Sequence, residues 1–179
     1  MNVFISGGAK NGKSMFAQRA AKEMAEEKGA PLYYVATMIP HDEEDEARIA
    51  RHIREREGWG FTTVEAGRNI CGVLDEADPG GVFLLDSVTA LLANEMFSED
   101  GYDPGAGEKA AEELAEFARR TGNTVFVSDY IYSDAARYDE MTENYRRALA
   151  AADRRLAQIC DRVAEVSCGT VIFHKGDAI

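Results

Sequence analysis

The chain has 179 residues, 45% of them hydrophobic and 29% charged, with 20 Lys and Arg against 32 Asp and Glu for a net charge of −12. This is globular composition, which excludes a disordered chain, and the length suits one domain spanning 1–179. The acidic balance excludes a protein that coats nucleic acid, since that needs a basic face, and apolar runs such as Val82-Phe83-Leu84-Leu85 fall far short of the ~20 residues of a membrane span.

Taken in chain order, short apolar runs alternate with longer helical periodicities. Residues 2–6 read as a strand, 13–28 as a helix, 32–37 as a strand and 43–57 as a charge-rich helix. Residues 82–86 read as a strand, 88–97 as a helix, and 98–107 as an exposed acidic loop. A helix over 107–121 and a strand over 124–128 follow. In 138–162, Met141, Tyr145, Ala148, Ala152, Leu156 and Ile159 recur every three or four residues, as on one face of a long helix. Residues 163–166 and 170–173 flank Ser167-Cys168-Gly169 as a closing pair of strands. Strand then helix, repeated, with near-continuous apolar strands, predicts an α/β fold: a mostly parallel central sheet with helices on both faces.

Gly7-Gly8-Ala9-Lys10-Asn11-Gly12-Lys13-Ser14 fits G-x-x-x-x-G-K-[ST], and chemistry explains the spelling. Glycines let successive backbone N–H groups turn inward around a phosphate. Lys13 is placed to reach the β/γ-phosphates and the Ser14 hydroxyl to hold Mg²⁺, while the helix that follows offers its positive end. The loop lies between a strand and a helix, as this mechanism requires, so nucleotide binding is expected. A carboxylate on a neighbouring strand completes such a site, and Asp86, after four apolar residues, has the Walker-B form. Asp86 or Ser87 also suits the N-cap of the helix that follows.

In the helix over 43–57, Arg48, His52 and Arg56 are spaced i, i+4, i+8 and share a face. Ile49 and Ile53 lie on the adjoining face and are expected to anchor it to the core. A stripe of arginines suits polyphosphate, and its positive field favours a neutral, nucleophilic imidazole. The same stripe also describes a solvated surface laced by Glu44–Arg48 and Arg51–Glu55 pairs. Around His41, the acidic turn 40–46 reads as a complement to the helix dipole rather than a metal site. His174 ends a strand with no evident partner. Tyr130, Tyr132, Tyr138 and Tyr145 read as core packing. Cys71, Cys160 and Cys168, without C-x-x-C spacing, suit reduced thiols in a cytosolic protein, and no signal-peptide pattern contradicts that.

With these pieces in view, the chain resembles the bacterial cobinamide kinase / cobinamide-phosphate guanylyltransferase family over about its first half, residues 1–94. The matching features are the phosphate loop, Ala36-Thr37 at a strand end, Arg48-Ile49-Ala50-Arg51-His52, Arg56, Thr63-Val64-Glu65, Asp86, Thr89 and Asn94. Further on, the family's Asn-Glu-Val-Gly stands here as Ser128-Asp129-Tyr130-Ile131. The resemblance implies a P-loop domain, usually trimeric, that phosphorylates adenosylcobinamide with GTP or ATP. It also implies transfer of GMP from GTP to the resulting phosphate through a guanylylated His52, with Mg²⁺ at Ser14 and Asp86. It further places nucleotide contacts at Gly7, Gly8, Ala9, Lys10, Asn11, Gly12, Lys13, Ser14, Ala36, Thr37, Met38, Ile53, Arg54, Glu55, Arg56, Glu65 and Asp86, and the arginine stripe adds Arg48, which with Arg56 is a candidate to stabilise charge on the α-phosphoryl oxygens. Two other readings stay open: a P-loop kinase of another small metabolite, and a non-catalytic nucleotide-sensing subunit.

Overall fold

A computed structural model describes residues 1–99 and 101–177. Its strands and helices follow in the order β1 (Val3–Gly7), α1 (Lys13–Lys28), β2 (Leu32–Ala36), α2 (Glu43–Glu55), β3 (Thr62–Glu65), β4 (Val82–Asp86), α3 (Val88–Met96), β5 (Phe97–Ser98), β6 (Gly101–Tyr102), α4 (Ala106–Thr121), β7 (Thr124–Asp129), α5 (Glu140–Ile159), β8 (Arg162–Ser167) and β9 (Thr170–Lys175). A 3₁₀ turn, Ile70–Asp75, lies between β3 and β4. Seven strands form one sheet in the order β3-β2-β4-β7-β1-β8-β9. All pairings are parallel except β8 with β9.

Both faces are buried, as the apolar strands predict. Along β4, Phe83 and Leu85 join the cluster packed by α3, α4 and α5, while Val82 and Leu84 join the smaller cluster under α1. The period of two assigns alternate residues of one strand to opposite layers. Because the neighbouring strands are parallel, Gly7, Ala36, Glu65, Asp86 and Asp129 all end on one edge of the sheet, the edge where open α/β sheets bind ligands.

Several expectations are corrected. β3 is an extra strand: its Thr-rich, mostly exposed sequence buries only Val64, so it lacks the apolar signature of the inner strands. α5 stops at Ile159, where Cys160 turns extended and the chain enters β8. The expected loop 98–107 contains the β5–β6 pairing and the start of α4, while Asp100 lies outside the described residues. α2 ends at Glu55 and contains no buried residue; Ile53 is 51% exposed. Its isoleucines therefore do not anchor it to the core. Asp42 caps α2 by accepting from Asp45 N–H, and four acids fill the first turn, a complement to the helix dipole. His174 does have a partner, Glu165, at 3.0 Å across the β8–β9 pair.

Candidate functional site

The phosphate loop connects β1 to α1, and local stereochemistry explains its composition. A Cβ at Gly7 would stand 2.4 Å from the Val166 carbonyl oxygen, so only glycine fits there. Gly12 sits at φ 89°, the left-handed region glycine enters freely. Unlike α2 and α5, α1 has no side-chain cap and no acid in its first turn, which leaves its positive end to an anion. Gly7 and Lys13 are the buried members of the loop. Lys13 Nζ donates to the Gly8 carbonyl at 2.7 Å and to Asp129 Oδ1 at 2.6 Å. Ala9, Lys10 and Gly12 are exposed, and Gly8, Asn11 and Ser14 half-buried.

Asp86 joins the loop to α2. Ser87, not Asp86, caps α3 by accepting from Ala90 N–H, so the Asp86 carboxylate is free for other partners. Its Oδ2 accepts from Tyr34 OH at 3.1 Å and lies 4.0 Å from His52 Nδ1. Burial raises the proton affinity of Asp86, with His52, Ser14 and Tyr34 pulling the other way. Burial and the Asp86 charge raise that of Tyr34, which stays a proton donor.

The positive stripe of α2 is partly dismantled. Arg56 is buried with its guanidinium 3.9 Å from the Tyr34 ring centroid and an N–H donated to Thr63 Oγ1. Arg48 faces Glu44 at 4.0 Å on an exposed turn. The charged group that meets the His52 ring is a carboxylate, contrary to the expected arginine setting. Tyr34, an unremarkable strand residue in the sequence, is the post on which Asp86 and Arg56 are both hung.

Beside this cluster opens a cleft of about 490 Å³ lined by Ile53, Arg56, Glu57, Phe61, Thr63 and Glu65, with Gly58 and Gly60. Ile53, Arg56 and Glu65 thus come together. Arg54 and Glu55 do not: both are exposed, and Glu55 pairs with Arg51 at 3.8 Å. Thr37 is fully buried, its Oγ1 accepting from Ser87 N–H and donating to the Ser87 carbonyl, so it ties β2 to β4 rather than facing a ligand. Ala36 and Met38 beside it are half-buried.

Behind β7, Asp153 of α5 is 3% exposed. Tyr132 OH donates to its Oδ2 at 2.9 Å, and its Oδ1 has no partner among the described residues. Burial pushes its carboxyl up to about 6, against the opposing hydroxyls of Ser128 and Tyr132. A native value above the unfolded one means that ionised Asp153 costs stability, a cost absent below about pH 4 and complete above about pH 6. Asp153→Asn is therefore expected to stabilise the protein at pH 8 by up to about 3 kcal/mol and to change little at pH 4, as read by denaturant melts at both. The four tyrosines are not plain core. Tyr138 is 44% exposed, and Tyr130, Tyr132, Tyr138 and Tyr145 each donate a hydroxyl hydrogen bond, to Glu165, Asp153, Asp134 and the Thr89 carbonyl.

A glycine-rich phosphate loop with a buried lysine, an acid ending a strand one place removed from the loop strand and a parallel sheet converging on both define a P-loop nucleoside-triphosphate-binding protein. Solved structures of 13–14% identity share the fold. One is the flagellar accessory protein FlaH from Methanocaldococcus jannaschii, with TM-score 0.50 over 97% of this chain and 77% of that one. Another is the ATPase domain of G40P, with TM-score 0.52 over 92% and 68%. Within that class the chain belongs to the cobinamide kinase / cobinamide phosphate guanyltransferase family, whose match covers residues 3–173. It is 29% identical to the bifunctional adenosylcobalamin biosynthesis protein CobP of Pseudomonas aeruginosa, over the whole of both chains. It is 25% identical to CobU of Escherichia coli K12, over 94% of this chain and 97% of that one. The likeness extends well past residues 1–94, the half in which the matching motifs lie.

Proposed function

We propose that the chain phosphorylates adenosylcobinamide and then transfers GMP from GTP to the product in cobalamin biosynthesis, with both steps in one domain, 1–179. The observation that carries this reading is the approach of His52 Nδ1 to Asp86 Oδ2, 4.0 Å, at the sheet edge where the strand leading into the phosphate loop also ends. Triphosphate lies along Gly7 to Ser14 with Lys13 at its outer phosphates. The Nδ1 edge of His52 faces Asp86, leaving Nε2 to attack the α-phosphorus. The bond from that phosphorus to the α–β bridging oxygen breaks, pyrophosphate leaves, and the Nε2-linked GMP passes to the acceptor phosphate. Asp86 stabilises the positive ring formed during attack, and Tyr34 and Arg56 hold Asp86 and α2 in register. The cleft between Ile53, Arg56 and Glu65 suits a guanine, whose N–H edge a carboxylate accepts.

Ser14 and Asp86 offer hard oxygen donors, the set Mg²⁺ takes while keeping water and phosphate oxygens as its other ligands, so the residues fit the ion. Bound there, Mg²⁺ supplies neutralisation of phosphate charge. The outer-phosphate transfer is open to GTP or ATP, since the loop reads phosphates alone. Family resemblance supports a homotrimer and a cytoplasmic setting. Among the described residues no helix is long and apolar enough to cross a membrane.

Incubation with GTP radiolabelled at the α-phosphorus tests the reading. Acid-labile, alkali-stable label on the protein, chased onto cobinamide phosphate, is expected. Nucleotide binding with no such label sinks the transferase assignment.

A further inference from the structure

Asp129 is the one acid at the phosphate loop to which the reading above gives no task. It ends β7, the strand between the loop strand β1 and the Asp86 strand β4, and lies level with Gly7 in the sheet register. Its backbone is pinned on both sides. Asp129 N–H donates to Thr89 Oγ1 at 2.8 Å, and Tyr130 N–H donates to the Gly7 carbonyl at 3.3 Å. Its Oδ1 stands 2.6 Å from Lys13 Nζ; the lysine side chain is 6% exposed, whereas a third of the Asp129 side chain remains open. The carboxylate is thus fixed next to the cation that reads the outer phosphates and is still reachable from outside.

Such a placement opposes nucleotide binding, because a carboxylate beside Lys13 repels the phosphates that Lys13 attracts. A group placed at that cost has a use in the chemistry. Alcohol phosphorylation needs a proton acceptor beside the outermost phosphate, and the other acids nearby are committed. Asp86 holds Tyr34 and faces His52 with only 11% of its side chain exposed, Asp153 is sealed behind the strand, and Glu165 holds Tyr130 and His174.

We infer that Asp129 is the general base of the kinase step, an inference that rests on the proposed function. The acceptor O–H bond breaks, its proton passes to the Asp129 carboxylate, and the oxygen electron pair forms a bond to the γ-phosphorus. The bond from that phosphorus to the β–γ bridging oxygen breaks, and the nucleoside diphosphate leaves with the electron pair. Lys13 stabilises the charge gathering on the leaving oxygens, and Asp129 returns its proton to solvent after release. The guanylyl step has no such requirement, since its acceptor is an already ionised phosphate.

The test uses the full chain with adenosylcobinamide and nucleotide for the first step. Pre-formed adenosylcobinamide phosphate and GTP are supplied separately for the second. In Asp129→Asn the kinase kcat is expected to fall roughly 100-fold and at the least tenfold, with nucleotide KM moving less than about threefold and label from α-labelled GTP still reaching His52. Asp129→Glu, which restores a carboxylate, is expected to recover most of the rate. A kcat loss below tenfold overturns the inference, as does joint loss of nucleotide binding and both reactions, which marks a structural role. Failure of Asp129→Glu to exceed Asp129→Asn does so too. If the wild-type chain binds nucleotide yet phosphorylates no cobinamide, the functional reading itself fails, an outcome distinct from a wild type and Asp129→Asn that phosphorylate equally.

Discussion

His52→Ala is expected to abolish GMP transfer, by roughly 10⁴-fold or more, while leaving the kinase step within a few-fold of wild type. The asymmetry follows from where the ring sits. His52 faces Asp86 and Lys13 pairs with Asp129, and the proposed function assigns the inner phosphate to the first pair and the outer ones to the second. Removing a nucleophile eliminates the covalent route entirely, and nothing else within the Asp86 cluster replaces it. The fold should not notice. α2 has no buried residue, so the change deletes no core packing, and a shift in melting temperature below about 2 °C is expected. Loss of His52 also removes the largest influence holding down the proton affinity of Asp86, so that acid should bind its proton more tightly. Assaying the two half-reactions separately, with supplied cobinamide phosphate for the second, checks the split. Equal loss of both steps would contradict it.

Lys13→Ala is expected to depress both reactions by more than about 10³-fold, through nucleotide affinity as well as rate. Its ammonium is the loop's one buried cation, positioned by the Gly8 carbonyl and Asp129. Without it, phosphates would meet Asp129 unopposed, so the variant suffers repulsion in addition to lost attraction. Lys13→Arg is not expected to rescue. A planar guanidinium cannot occupy the space of a compact ammonium wedged between a carbonyl and a carboxylate. Folding should survive, because solvent still reaches Asp129 and shares its charge; a stability loss of about 1 kcal/mol is expected. Calorimetric titration with a non-hydrolysable triphosphate, paired with a denaturant melt, separates the binding defect from instability.

Much of this architecture is written locally. β4 and α1 begin and end where apolar patterning places them, and the phosphate loop is legible because its glycines and Lys-Ser do their work within eight consecutive residues. Edges are less legible. β3 is short, threonine-rich and exposed, so it carries none of the apolar continuity that marks buried strands. α5 ends at Ile159, where its apolar spacing also stops, although the expected helix runs on to 162, because pairing with β1 claims Arg162 for a strand.

The site divides in the same way. Ser14, Lys13, Asp86 and His52 each stand out from neighbours in sequence. Asp129 does not, since it looks like the first residue beyond an apolar run, yet pairing with β1 carries β7 one residue further and sets that acid beside Gly7. Tyr34 is equally silent until β2 pairs with β4 and aligns Ala36 with Asp86, which brings its hydroxyl to the carboxylate. Patterning over a few residues is enough to mark the strands, the helices and the phosphate cradle, because apolar periodicity and glycine spacing are features of consecutive residues. Which acid meets the lysine, and which carboxylate meets the histidine, depends on the order of strands in the sheet. Those partners lie 116 and 34 residues apart, and only packing of the whole chain brings them within reach.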